Sequence, residues 1–323
     1  MTHQDVESRS RGNAGLILVA IVLALVLYAA TATAADKPAA TAPAQRTFAT
    51  PDDAVAALVA AVKADKLPEL RAVLGNAGGT LSSGDKVADR AAANAFVAEY
   101  DAKHAVNVNG DKAELVIGKD DFPFAFPLVK AGDRWKFDTA AGIDELNARR
   151  IGANELNTIK VLQAIVDAQR DYASKDRNGD GVIEYARRII STAGKQDGLY
   201  WPTKAGEAPS PLGELVAQAS SEGYGKDKSK GPKPFHGYVF KALKGQAQTA
   251  TSPATDYVVR GRAIAGFAVL AYPAKYGSSG IMSFMVNQDG TVYEADLGPS
   301  TAQKAGAMTK FDPGKGWSAV PAK

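Results

Sequence analysis

Apolar and polar positions alternate with different periods along the chain, and the changes of period mark four stretches. From Leu16 to Ala30 almost every residue is apolar. Arg9 and Arg11 precede this run, and Ala32 and Ala34 follow it at the minus-three and minus-one spacing of a signal-peptidase site. Residues 1–35 therefore read as an export signal or, if uncleaved, as a membrane anchor through residues 14–35. Residues 36–46 are rich in Ala, Pro and Thr, offer little to bury and read as a flexible tether.

Residues 47–140 change from helical to strand period. Thr50-Pro51-Asp52-Asp53 is a helix start: a hydroxyl cap, a proline where no amide donor is needed, and carboxylates at the positive helix end. Val55, Leu58, Val59 and Val62 then recur at i, i+3, i+4 and i+7. A short helix over Leu67 to Leu74 ends at Gly75, and a third carries Phe96, Val97 and Tyr100. From His104 the period is two. Asn109-Gly110 predicts a tight hairpin turn between Ala105 to Val108 and Ala113 to Ile117. Phe122, Phe124, Phe126 and Leu128 alternate, but Pro123 and Pro127 remove ladder donors and place that strand at an edge or a bulge. Trp135 and Phe137 complete the set. Helices followed by an antiparallel sheet predict an α+β lobe, and the order resembles the cystatin-like cup of the nuclear-transport-factor type.

Residues 141–323 begin with a long helical stretch in which Leu156, Ile159, Leu162, Val166 and Tyr172 keep helical spacing up to Asn178-Gly179. A Gly/Pro-rich middle follows. Tyr238 to Leu243, Gly266 to Tyr272, Ile281 to Val286 and Val292 to Ala295 read as strands, the last two joined around Asp289-Gly290. The fold class predicted is α+β with two lobes. A leading helix with a terminal antiparallel sheet resembles the globular part of pseudopilins. A prepilin, however, needs its hydrophobic N-terminal helix continuous with this one, whereas here a whole lobe intervenes, which argues against pilus assembly.

Composition narrows the function classes. Lys and Arg exceed Asp and Glu by 38 to 35 with no basic block, which argues against a nucleic-acid partner. The chain has no cysteine, which excludes a lipidated cysteine anchor and disulfide staples. The expected location is periplasmic or secreted.

Several stretches carry a resemblance: Phe48 to Ala54 (FATPDDA), Arg149 to Leu156 (RRIGANEL), Gly198 to Pro202 (GLYWP), Ser210 to Gly213 (SPLG), His236 to Phe240 (HGYVF) and Val286 to Tyr293 (VNQDGTVY). Together they resemble a family of exported bacterial proteins known as domain of unknown function 2950. The resemblance covers nearly all of the chain after the leader and implies no catalytic or binding residue.

Candidate chemistry therefore rests on residue types. Asp176, Asn178, Asp180, Val182 and Glu184 occupy positions one, three, five, seven and nine of a calcium-loop pattern with Gly181 at six. Position twelve is Arg187 where a bidentate Glu belongs, and a polar turn is the competing reading. His236 is the candidate general base, with Asp256 as its carboxylate in a hydrolase site between the lobes. Tyr200, Trp201, Tyr224 and Tyr238, set among Gly and Pro, are candidate ligand-binding rings for a glycan or an extended peptide; the alternative is that they pin loops onto a core. Arg149 and Arg150, beside Asn154 and Glu155, read as a polar cluster between the lobes and a candidate anion site. The leading expectation is a non-catalytic envelope module that binds or scaffolds a protein, peptide or glycan. A cell-envelope hydrolase using His236 and a calcium-ordered structural protein are the alternatives.

Overall fold

The computed structural model describes residues 44–75, 81–204, 206–225, 233–248 and 253–321. The segment expected to be an export signal and the part of the expected tether before Ala44 lie outside these residues. The chain divides into two compact units, one ending at Ala153 and the other beginning at Asn154. Six helices and two five-stranded antiparallel sheets, with a smaller third sheet, make the described residues α+β.

In the first unit, helix α1 (Pro51–Lys63) starts in a capping box: Thr50 Oγ1 accepts from the Asp53 amide at 3.1 Å and the Asp53 carboxylate accepts from the Thr50 amide at 3.2 Å. Helix α2 (Leu67–Leu74) and helix α3 (Lys86–Ala102) follow, the latter capped by Asp85, whose carboxylate accepts from the Val87 and Ala88 amides. The strands are β1 (His104–Asn109), β2 (Lys112–Ile117), β3 (Phe122–Pro123), β4 (Leu128–Ala131) and β5 (Arg134–Phe137), ordered β1-β2-β4-β5 with β3 beside β2. Asn109 pairs with Lys112, so the turn residues are Gly110 and Asp111, one position later than Asn109-Gly110. Gly110 alone takes a positive φ, +60°, as a turn with glycine first demands. The alternating run from Phe122 to Leu128 is broken rather than continuous: β3 stops at Pro123 and β4 starts only at Leu128, after Pro127, whose carbonyl accepts from the Asp138 amide in line with the β4–β5 register. Leu58, Leu70, Phe96, Leu115, Phe126 and Phe137 meet in one core.

Helix α4 (Thr139–Tyr172) runs through the division between the units, so the long helix begins in the first and does not simply lead the second. Its early turns supply Ile143 and Leu146 to the first core, and its later turns supply Val161, Leu162, Ile165 and Val166 to a second.

In the second unit, helix α5 (Gly213–Glu222) ends at Gly223 in the left-handed region. The strands are β6 (Tyr238–Leu243), β7 (Gly245–Gln246), β8 (Thr255–Asp256), β9 (Ala268–Pro273), β10 (Met282–Asn287) and β11 (Tyr293–Asp296). After helix α6 (Thr301–Ala307) come β12 (Lys310–Phe311) and β13 (Ser318–Ala319). The main sheet is ordered β13-β11-β10-β9-β6, and β12, β7 and β8 form the small one, in which β12 and β7 are parallel. One face of the main sheet packs Phe284 and Val286 on α4, and Leu270 and Met285 enter a separate core with Tyr257 and Phe311. From β6, Lys241 Nζ donates to the carbonyls of Ala305, Gly306 and Met308 at 3.0, 2.6 and 2.7 Å, placing its charge where the α6 carbonyls lack partners.

Candidate functional site

His236 and Gly237 are the two central residues of a turn closed by Phe235 and Tyr238, which exchange backbone hydrogen bonds of 2.7 and 3.1 Å. Both have positive φ, +47° and +78°, the combination a type I′ turn requires. The Tyr224 hydroxyl accepts from the His236 amide at 3.1 Å, and the Tyr224, Phe235 and His236 rings pack with centroids 4.3 to 5.5 Å apart. His236 Nε2 lies 3.1 Å from the Glu222 carboxylate at the end of α5. The carboxylate beside this imidazole is thus Glu222, not Asp256. Asp256 stands on β8 with its oxygen 3.5 Å from Lys310 Nζ.

The other predicted rings have different fates. Tyr238 is fully buried, its hydroxyl donates to the Met282 carbonyl at 2.8 Å, and burial pushes that phenol far above its usual range. A Cβ at Gly280 would sit 2.0 Å from the same oxygen, so glycine there makes room for the ring. Trp201 is buried in the second core, with the Arg177 guanidinium 5.5 Å from its ring centre. Both rings are buried in the second core. Tyr200 is half-buried and its backbone pairs with Ile189 and Ser191. Only Tyr224 among the four belongs to the His236 cluster.

Each arginine of the expected polar cluster is bound within the first unit. Arg149 pairs with Glu145 at 2.6 Å, donates to the Pro123 carbonyl and lies over the Phe122 ring. Arg150 is buried and donates to the Leu81 carbonyl at 2.8 Å. Asn154 and Glu155 are bound within the second: Asn154 Nδ2 donates to the Ser279 carbonyl, and Glu155 accepts from the Ile281 and Met282 amides. Each of these bonds lies within the residue's own unit.

A titratable group that sequence reasoning missed lies near Arg150. Asp89 on α3 is almost fully buried and accepts from the Ser82 and Ser83 hydroxyls and the Ser83 amide. Burial raises its carboxyl to about 6, against the opposing pull of those hydrogen bonds and the Arg150 charge. Burial likewise lowers the Arg150 guanidinium. The sequence signal was the Ser82-Ser83 pair ahead of two acids near a helix start.

The Asp176 loop satisfies itself. Asp176 accepts from the amides of Asn178, Gly179 and Gly181, and these hold its carboxyl below the usual range, Gly181 most strongly. Asn178 and Asp180 each accept from the amide two residues on, and Asn178 Nδ2 donates to Glu184. Glu184 also accepts from the Ala263 amide, and the Arg262 guanidinium grips Asp180 at 3.0 and 2.9 Å. A guanidinium on position five and Arg187 at position twelve are a poor fit to a calcium shell, which needs those positions for oxygen donors. Among the described residues no group of three His, Asp or Glu side chains is arranged to hold a metal ion.

Arg262 belongs to a hairpin that sequence reasoning did not single out. Val259 and Arg262 exchange backbone hydrogen bonds of 2.8 and 3.0 Å around Arg260 and Gly261, whose φ values of +49° and +82° again define a type I′ turn. At its base Tyr257 is buried and its hydroxyl donates to Gln246 Oε1 at 3.1 Å. Immediately beyond that anchor, Val258 and Val259 are 43% and 41% exposed, and Ile264 on the return arm is 46% exposed. Ile183 is 57% exposed and lies on the segment that pairs with this arm: the Tyr185 amide donates to the Ala263 carbonyl at 2.9 Å.

The described chain is thus an α+β protein whose polar candidates are held by internal partners and whose second unit exposes four aliphatic side chains on two segments joined by a backbone hydrogen bond. It belongs to the family described as Protein of unknown function (DUF2950), whose model matches residues 45–320. No curated protein and no solved structure matches it. Among the described residues no helix is long and apolar enough to cross a membrane.

Proposed function

We propose that this chain is a non-catalytic binding module of the bacterial cell envelope and that the corner formed by Ile183 and the Tyr257–Ala265 hairpin is its docking face. One observation carries the reading: four large aliphatic side chains stand exposed on two segments tied together by backbone and ion-pair contacts. Isolated exposed apolar residues are ordinary, but three on one hairpin and a fourth on the segment bonded to it support an interaction surface. Support for the envelope comes from the apolar run Leu16 to Ala30 and its flanking residues.

The test is co-sedimentation with isolated cell envelopes. A V258S/V259S/I264S variant loses retention while keeping the wild-type near-ultraviolet circular dichroism, and V108S, which removes an exposed valine of the first unit, does not. Equal retention of all three proteins contradicts the docking face.

A hydrolase reading has one observation in its favour, the 3.1 Å approach of His236 to Glu222, which is the geometry of a base and its orienting carboxylate. Turnover of ester, peptide or peptidoglycan substrates that is lost in both H236A and E222Q favours it over the binding module.

A further inference from the structure

We propose that the partner of this corner is the surface of an anionic phospholipid bilayer; the inference rests on the docking face argued above and names what occupies it. Area and charge point the same way. Each partner of a stable protein complex contributes roughly 800 Å², far more than four aliphatic side chains on one turn and its neighbour offer. A bilayer sets no such threshold, because each apolar side chain that reaches the acyl boundary and each basic residue near anionic headgroups adds its own increment.

The charges are arranged for such a surface. Arg260 at the hairpin tip and Arg187, four residues beyond Ile183, are both exposed, and among the described residues neither has an ion-pair partner. Of the neighbouring acids, Asp180 is paired with Arg262 and Asp256 stands 3.5 Å from Lys310, whereas Glu184 and Asp176 accept only from neutral N–H groups and keep their charge. Arg188, next along the chain from Arg187, stands 3.8 Å from its carboxylate partner Asp197. The hairpin therefore presents Val258, Val259 and Ile264 exposed on its arms and the exposed Arg260 cation at its tip.

The backbone adds a further point. Arg260 occupies the left-handed first position of a turn that glycine, asparagine or aspartate fills at lower cost. An arginine there, between Val259 and Gly261, works against the stability of the hairpin while it puts a cation at the tip. Local rules broken together on one element mark a functional surface.

The absence of cysteine from the chain allows a single-site probe. An environment-sensitive nitrobenzoxadiazole label at V259C, in the full chain, is mixed with vesicles of phosphatidylcholine containing phosphatidylglycerol, with phosphatidylcholine vesicles alone, and with detergent-solubilised envelope proteins. A label at V108C is the control; it reports any binding through the leader, which leaves both labels unaffected or affects them alike. The expected result is a severalfold rise and blue shift at position 259 with the anionic vesicles only. Raising the salt from about 0.1 to about 1 M, which shortens the screening length from about 10 to about 3 Å, weakens that response. Adding R187S and R260S weakens it as well. An equal response to neutral vesicles, or an equal response at position 108, overturns the proposal. A response to envelope proteins without one to vesicles overturns the lipid partner and leaves the docking face standing. Silence toward both overturns the two together.

Discussion

Arg262 and Asp180, eighty-two positions apart in sequence, meet in a two-pronged ion pair of 3.0 and 2.9 Å. Both side chains are about one-third exposed, so the pair contributes on the order of 1 kcal/mol rather than the larger value of a buried one. Its geometric effect is greater, because it fastens the Asp176 loop to the hairpin whose corner is proposed to dock.

We predict that calcium does not engage this loop. Thermal unfolding with millimolar calcium and with chelator gives the same midpoint, because a ligand held only by the native state would raise it. R262A lowers the unfolding free energy by about 1 kcal/mol. A calcium-dependent rise in the wild-type midpoint reinstates the calcium-ordered reading.

Two glycines of α4 respond in opposite directions to the same change. A Cβ at Gly142 would lie 2.0 Å from Phe126 Cδ1, whereas one at Gly152 would meet nothing within 4 Å. G142A therefore destabilises by about 1–3 kcal/mol through overpacking. G152A stabilises by about 0.5–1 kcal/mol, the ordinary gain of alanine in an exposed helical turn. Denaturant titration of the two variants checks both signs, and a loss in G152A would contradict the helix as drawn.

Asp89 makes stability depend on pH with a defined sign. Its folded value of about 6 lies above the unfolded value of 3.8. The native state therefore keeps a proton that the unfolded chain has already released. The contribution of this group is fully present below pH 3.8 and is lost as pH rises through about 6. Between pH 4 and 7 the wild type loses up to about 3 kcal/mol relative to D89N, whose amide has no charge to bury. Urea titrations of both proteins at the two pH values measure this, and a difference that does not change with pH contradicts it.

Local features were legible where one or two residues dictate geometry. Thr50 announced the hydroxyl cap that forms, though not the return bond from Asp53, and Pro123 and Pro127 announced the interruption that ends β3. The turn after β1 shifted by one residue because Gly110 can stand first in a two-residue turn as well as second, and the register with β2 decides between the two. The aromatic rings were harder to place. Trp201, Tyr224 and Tyr238 sit in similar Gly/Pro-rich surroundings, yet Tyr238 is buried by Gly280 and Met282, more than forty residues away, and Trp201 by the second core. Nothing within a few positions distinguishes them. His236 drew attention as a rare residue, but its partner Glu222 lies across a stretch whose packing the sequence does not specify. The hairpin was not readable, because Arg260-Gly261 is not one of the residue pairs that signal a two-residue turn, and the exposure of its valines is not a property of sequence.

The docking face is tested most directly by photo-crosslinking in intact cells, with a photoreactive residue placed at Val259 in one strain and at Val108 in another. Adducts to an envelope component from position 259, and none from position 108, are the predicted result. Absence of adducts at 259, or equal yields from the two positions, would contradict a docking surface on this hairpin.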